Sequence, residues 1–106
     1  GYQAGLDYKI GGNEDTSGIA IWHIDENQSG NYDYNHKLVD LEEAADAGLD
    51  LGSHNGKQTN LFFSGNKTEF SNSTNPNSKT YAETSSGITI NNISAAGDSM
   101  TFDVSF

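Results

Sequence analysis

The most informative segment of this chain is an apolar run followed by a cluster of polar side chains. The run reads Gly18-Ile19-Ala20-Ile21-Trp22-His23-Ile24-Asp25-Glu26, and after an Asn/Gly-rich segment the chain continues as Lys37-Leu38-Val39-Asp40-Leu41-Glu42-Glu43-Ala44. The continuous apolar character of residues 19–24 predicts a central strand that is covered on both faces. A strand that leads directly into oxygen-bearing side chains is how a β-scaffold presents a cation site or a recognition edge.

Further short runs with strand patterning flank this one. Residues 38–41 and 61–63 predict two more strands, and residues 88–93 with 100–106 predict a hairpin around a Gly-containing turn. Apolar and polar side chains alternate in the last run, so one of its faces should point into the core. The residues expected on that face are Met100, Phe102, Val104 and Phe106, with Ile19, Ile21 and Ile24 or Trp22 nearby.

Helical patterning is confined to residues 42–48, where acidic side chains precede Gly48 and predict one or two turns. Residues 64–87 are polar and rich in turn formers, which predicts an ordered surface loop. The sequence therefore predicts a mainly β fold, an antiparallel β-sandwich or jelly-roll-like pair of sheets with long polar loops and at most one short helix. A chain of 106 residues makes this a single β-rich domain or fragment over residues 1–106.

Composition excludes several classes of partner and site. The formal net charge is -10, so the chain should repel phosphate backbones and anionic membranes and attract divalent cations. With no cysteine, disulfides and thiolate metal sites are excluded. No apolar run is long enough to cross a bilayer, and the first residues do not form a signal peptide, so we expect any export signal to lie upstream.

The segment after the central strand, residues 25–33, has the spacing of the first half of a calcium loop. Such a loop needs oxygen ligands at positions one, three and five, glycine at six, a backbone carbonyl at seven and an acid at nine. The matching residues are Asp25, Asn27, Ser29, Gly30, the Asn31 carbonyl and Asp33. Position twelve is His36 instead of glutamate, so a closing carboxylate would come from Asp40 or Glu43. The alternative is an Asx-rich surface turn in which Asp25 and Asn27 bond their own backbone.

Hydrolysis of peptides by zinc would require an HExxH pair on one helix. His23, His36 and His54 do not have that spacing, so no catalytic residue is assigned. We expect His23 to be partly buried and hydrogen-bonded, the other two histidines to be solvated, and Trp22 to be a core aromatic. The tyrosines could form a stacking surface for glycans or serve as loop anchors; these are Tyr2, Tyr8, Tyr32 and Tyr34.

The order of short motifs along the chain resembles the M6 family of secreted metallopeptidases, the immune inhibitor A type. Residues 18–25 resemble the family's "GLLIWHID" strand, and residues 37–46 resemble "KLVDLEEADG". Residues 61–65 look like "DLFYPG", although Asn60 stands where an acid is common. Later residues follow the order "F…T.PNS..Y….SGI" and the ending "NIS…MTF".

This resemblance implies that the chain is the β-rich segment that follows the zinc-binding helix of a secreted zinc endopeptidase. The zinc and its ligands would then lie upstream of Gly1, and the chain alone would not hydrolyse peptides. Its expected partner is the catalytic lobe of the parent, and its expected tasks are support of that lobe and calcium binding. The alternative is a free-standing extracellular module that binds a carbohydrate, a protein or another surface. Neither nucleic acid nor a membrane is an expected partner.

Overall fold

The structure is a computed structural model that describes residues 2–7, 17–33, 35–45, 48–49 and 56–106. Within these ranges it contains a three-stranded antiparallel sheet in the order β1-β2-β3 and a separate two-stranded antiparallel sheet, β4-β5. The mainly β class is confirmed, whereas the sandwich or jelly-roll arrangement stays a prediction. The strands are β1 (Tyr2–Asp7), β2 (Gly18–Ile24), β3 (Val39–Leu41), β4 (Thr89–Asn91) and β5 (Asp103–Ser105).

The predicted central strand is β2, which pairs with β1 on one side and β3 on the other. Along β1 the register runs from Tyr2 opposite His23 to Asp7 opposite Gly18. Gly18 is required by a close approach, because a Cβ atom there would lie 2.5 Å from the Cβ of Leu61. Ile19 and Ile21 are buried on one face of β2, as the apolar run predicts.

One apolar cluster joins the two sheets. Two isolated antiparallel bridges connect them through the intervening chain, Ile19 with Phe62 and Phe70 with Ile90. The rings of Phe62 and Phe70 meet edge to face with centroids 5.9 Å apart, a favoured geometry for aromatic pairs. The predicted strand at residues 61–63 is therefore reduced to a single bridge. The cluster consists of Ile19, Ile21, Ala44, Phe62, Phe70, Ile90 and Ile93.

The C-terminal hairpin forms with Ile90 opposite Val104, but the expectation that four apolar side chains of its last run point inward is only half right. Met100 and Phe102 pack against the core. Val104 is exposed and Phe106 is 97% exposed. The reason is that β5 has only three residues and lies at an edge, so no described element covers the side chains that follow Phe102.

The expected short helix at residues 42–48 is not found in its described part, which excludes residues 46 and 47. A 3-10 turn, Gln58–Asn60, forms instead. Asn60 is fully buried, accepts a hydrogen bond from Lys57 N–H and donates to Glu43 Oε1 and the Ala45 carbonyl. A carboxylate could not donate these bonds, which explains the amide at this position.

No helix in the described ranges is long and apolar enough to cross a membrane.

Candidate functional site

The first predicted calcium ligand, Asp25, is held by its own loop. Its Oδ1 atom accepts the Asn27 N–H at 3.0 Å, and its Oδ2 atom is hydrogen-bonded to Nε2 of His36. The hydrogen bond to His36 keeps the pKa of Asp25 below its ordinary value, with a further contribution from the Asn27 N–H. These contacts have the form of the Asx turn that the sequence offered as the alternative to calcium.

Other side chains of residues 25–33 also bond locally or are exposed. The side-chain amide of Asn31, whose backbone carbonyl is the predicted ligand, exchanges two 2.9 Å hydrogen bonds with the backbone of Val39. Asp33 Oδ1 accepts the Asn35 N–H at 2.9 Å. Asn27 and Ser29 are exposed. The loop is thus closed by bonds between side chains and backbone.

Both predicted closing carboxylates have partners outside residues 25–33. Asp40 forms a 3.0 Å ion pair with Lys37, and Glu43 accepts hydrogen bonds from the Leu49 N–H and the Asn60 amide. In the described ranges, no three His, Asp or Glu side chains are grouped so that they could hold a metal ion. Calcium binding at residues 25–33 stays a prediction.

A stack of aromatic and imidazole rings lies beside the loop. Tyr81 stacks on His23 with centroids 4.3 Å apart and on His36 with centroids 4.0 Å apart. His23 also contacts Tyr2 at 4.5 Å, and Tyr2 meets the core residue Phe70 edge to face at 5.2 Å. His36 is thus only partly solvated, with 35% of its side chain exposed, and the rings connect the loop to the hydrophobic core.

His23 is the most deeply buried ring of this stack. Only 8% of it is exposed, and its Nδ1 atom lies 3.3 Å from Oε1 of Glu42. A carboxylate near Nδ1 favours the neutral tautomer that carries its proton on that nitrogen. Burial lowers the pKa of His23 and outweighs the opposite effect of Asp25. The prediction that His23 is buried in part is confirmed, whereas its hydrogen bond stays a prediction, because the contact with Glu42 is an ion-pair distance.

A cleft of about 260 Å³ opens next to this histidine. One wall comes from β2, β3 and the residue after β3, and the opposite wall comes from residues 75–83. The Tyr2 hydroxyl donates to the Lys79 carbonyl at 2.8 Å, which ties the second wall to β1. The side chains that matter for its chemistry are His23, Asp40, Glu42, Lys79, Tyr81 and Glu83.

The carboxylates give this cleft a negative electrostatic potential. The pKa of Tyr81 is raised by burial and by the nearby charges of Asp40 and Glu42. The pKa of Tyr2 is raised by burial and by Glu42. Both tyrosines are therefore neutral at pH 7, and their environment disfavours additional negative charge.

Sequence reasoning found His23 but missed the partners that build the cleft around it. The sequence predicts a helix start at Glu42 and places Tyr81 only in a family motif. The contact of Tyr81 with His23 depends on how residues 71–87 fold back over the sheet. The signal for Glu42 was the pairing of β2 with β3, since Glu42 N–H donates to the Ile21 carbonyl just beyond β3. Of the four tyrosines considered as a glycan surface, Tyr8 and Tyr34 lie outside the described residues, as does His54.

No protein-family model, no curated protein and no solved structure matches this chain.

Proposed function

We propose that this chain is a non-catalytic, β-rich segment of a secreted zinc metalloendopeptidase of the M6 type, and that it supports the catalytic lobe. The motif order along the chain supports this family. The observation that carries the supporting role is an apolar patch on the face of the three-stranded sheet that points away from the core. In the parent enzyme this patch is the surface that packs against the catalytic lobe.

The patch is built by two neighbouring pairs across β2 and β3. Trp22 lies opposite Leu41, and Ile24 lies opposite Val39. Residues two apart on one strand share a face, and so do directly opposed residues of an antiparallel pair. All four side chains therefore belong to one face, opposite that of Ile21 and His23.

This face is incompletely covered in the part of the chain that the structure describes. Trp22 and Val39 are each 37% exposed, and Ile24 and Leu41 are partly exposed. Contiguous apolar patches on soluble proteins commonly mark interaction sites. The expectation that Trp22 is a core aromatic is wrong, because it lies on this face and not in the core cluster. Its position fits a segment whose outer sheet face is covered by another part of a larger protein.

Zinc would be held by the parent upstream of Gly1 in this proposal, and calcium would be a structural ion of the loop at residues 25–33. The coding sequence upstream of Gly1 tests the family assignment. An HExxH motif followed by a third zinc ligand is the expected result. An open reading frame that continues upstream through an unrelated domain without such a motif would exclude the parent enzyme.

A free-standing carbohydrate- or surface-binding module is the alternative, and it is favoured by the exposure of two aromatic side chains. Trp22 is partly open, and Tyr32 is almost fully exposed. Such a module should be monodisperse in sedimentation velocity, and its single tryptophan should change fluorescence when polysaccharides are added. A support segment should self-associate through the outer face and show no response to sugars.

A further inference from the structure

The C-terminal strand β5 has a free edge. Its neighbour β4 uses both backbone groups of Ile90 to bond Phe70, at 2.7 and 2.8 Å. The pair of Ile90 with Val104 is therefore of the non-hydrogen-bonded kind of an antiparallel ladder. The N–H and C=O groups of Val104 consequently point away from β4, and no strand of the described ranges pairs with β5 on that side.

We propose that two copies of this chain pair through the free edges of their β5 strands, antiparallel and around a two-fold axis, to give a sheet in the order β4-β5-β5-β4. The inference is independent of the supporting function, which uses the outer face of the three-stranded sheet. It rests on the open backbone groups of β5, on the exposed apolar side chains beside them, and on a register in which this strand is complementary to itself.

The open backbone groups define the chemistry of the partner. By strand alternation, the outward N–H and C=O groups belong to Phe102, Val104 and Phe106. Within the described ranges none of these three residues forms a hydrogen bond along that edge. Exposed edges are commonly blocked by lysine or proline, and residues 101–106 contain neither. An added strand is the partner that satisfies such a row of donors and acceptors.

The side chains along this edge leave part of an apolar face open. Val104 lies opposite the buried Ile90, so both belong to the face that carries the core. Phe102 packs on the core cluster, whereas Val104 is 48% exposed and Phe106 is 97% exposed. A strand added beside β5 extends this face and removes apolar surface from water.

A second copy fits this edge because β5 is complementary to itself when Val104 lies opposite its own counterpart. Phe102 is then opposite Phe106 of the second copy, which forms two aromatic pairs across the axis. Asp103 is opposite Ser105, so the one charged side chain of the strand avoids its counterpart. One neighbouring register brings the two Asp103 carboxylates face to face, which is unfavourable, and the other no longer pairs the phenylalanines.

Charge permits this approach but makes it dependent on salt. The Oδ2 atom of Asp103 accepts a hydrogen bond from the Asn92 amide at 2.8 Å, which holds the carboxylate on the β4 side of the strand. The formal net charge of -10 opposes the association of two copies. Salt screens this repulsion beyond about 8 Å at physiological ionic strength, so the dimer should be stronger there than at low salt.

The test is sedimentation equilibrium of the 106-residue chain at micromolar to millimolar concentrations in about 0.15 M salt, with lysine variants at two adjacent positions. Val104→Lys sets two like charges opposite each other on the axis and should raise the dimer dissociation constant about tenfold. Ser105→Lys sets each new ammonium group opposite Asp103 of the second copy and should lower that constant. Both variants change the net charge equally, so opposite effects report the register.

A second measurement locates the contact in a mixture of ¹⁵N-labelled and ¹³C-labelled chains. Asp103 and Ser105 of the two copies form a non-hydrogen-bonded pair in this register, so their Hα protons should give an intermolecular NOE. Trp22→Ser removes association through the outer face of the other sheet and should leave the β5 dimer intact. The proposal is overturned if the chain is monomeric throughout, if the lysine variants act in the same direction, if a dimer lacks this NOE, or if Trp22→Ser is a monomer.

Discussion

The imidazole of His36 is hydrogen-bonded through Nε2 to Oδ2 of Asp25, and this bond closes the loop between β2 and β3. His36 occupies position twelve of the calcium-like spacing, where a glutamate would complete the ion site. The loop is thus closed from the expected position but by a different chemical group. The same ring stacks on Tyr81, so loop closure is linked to the packing of residues 71–87.

Replacing His36 tests whether the residue at position twelve controls calcium binding by the loop. His36→Glu removes the hydrogen bond and supplies the missing closing carboxylate, so calcium should stabilise the variant more than the native chain. A ligand at a hundred times its dissociation constant raises the free energy of unfolding by roughly 2.7 kcal/mol, and the variant should approach this value in thermal melts with calcium. His36→Gln, which adds no charge, is the matched control. An equal response of all three proteins to calcium would show that position twelve does not control the site.

Truncating a core phenylalanine should cost much more unfolding free energy than truncating an exposed one. Phe70→Ala should lower the free energy of unfolding by about 3–5 kcal/mol, because the buried ring contacts Tyr2 and Phe62. Phe106→Ala should change it by less than about 0.5 kcal/mol, because this ring is exposed. Urea denaturation measures both, and Phe70→Leu provides a milder variant if Phe70→Ala does not fold. Similar losses at the two positions would show that the core is placed incorrectly.

Because His23 is buried, we expect the folded chain to be less stable in mild acid. Its pKa in the folded chain is lowered by burial, so the unfolded chain, with a pKa of about 6.5, takes up the proton first as the pH falls. The stabilising contribution is present above about pH 6.5 and is lost as the pH falls below that value. His23→Gln should make the unfolding free energy less dependent on pH between 7 and 5. An NMR titration of His23 that gives an ordinary or raised pKa would contradict this.

The chain alone should not hydrolyse peptides. His23 and His36, the described histidines, are separated by the ring of Tyr81, with which both stack, and neither lies on a helix. Purified chain incubated with casein and excess zinc should release no peptides above background. Zinc-dependent cleavage that survives repurification and disappears in His23→Ala would require a catalytic site of another kind.

The sequence predicted the parts of the fold that depend on local patterning. The run at Ile19–Ile24 identified β2, and the alternation near residues 88–106 identified the hairpin of β4 and β5. The predicted burial of Val104 and Phe106 failed, because alternation shows which side chains share a strand face but not how much of that face the core covers. The prediction that Trp22 is buried failed for a related reason. A continuous apolar run predicts that both faces of the strand are covered, and it cannot show that one of the faces is left partly exposed.

The site was predictable only where its bonds are local. The Asx turn at Asp25 follows from residues two positions apart. The pairing of His23 with Glu42 and the stacking on Tyr81 join residues that are 19 and 58 positions apart in the sequence, and no local rule links them. These contacts depend on strand register and on how residues 71–87 fold back over the sheet.

The supporting role is tested most directly by the accessibility of Trp22 in the chain alone and in the full-length gene product. Hydroxyl-radical footprinting with peptide-resolved mass spectrometry measures this at each side chain, with the exposed Tyr32 as the internal reference. We expect Trp22 to be oxidised readily in the isolated chain and to be strongly protected in the full-length protein, while Tyr32 reacts at the same rate in both. Equal oxidation of Trp22 in the two proteins would show that the outer sheet face is not an interface with the rest of the polypeptide.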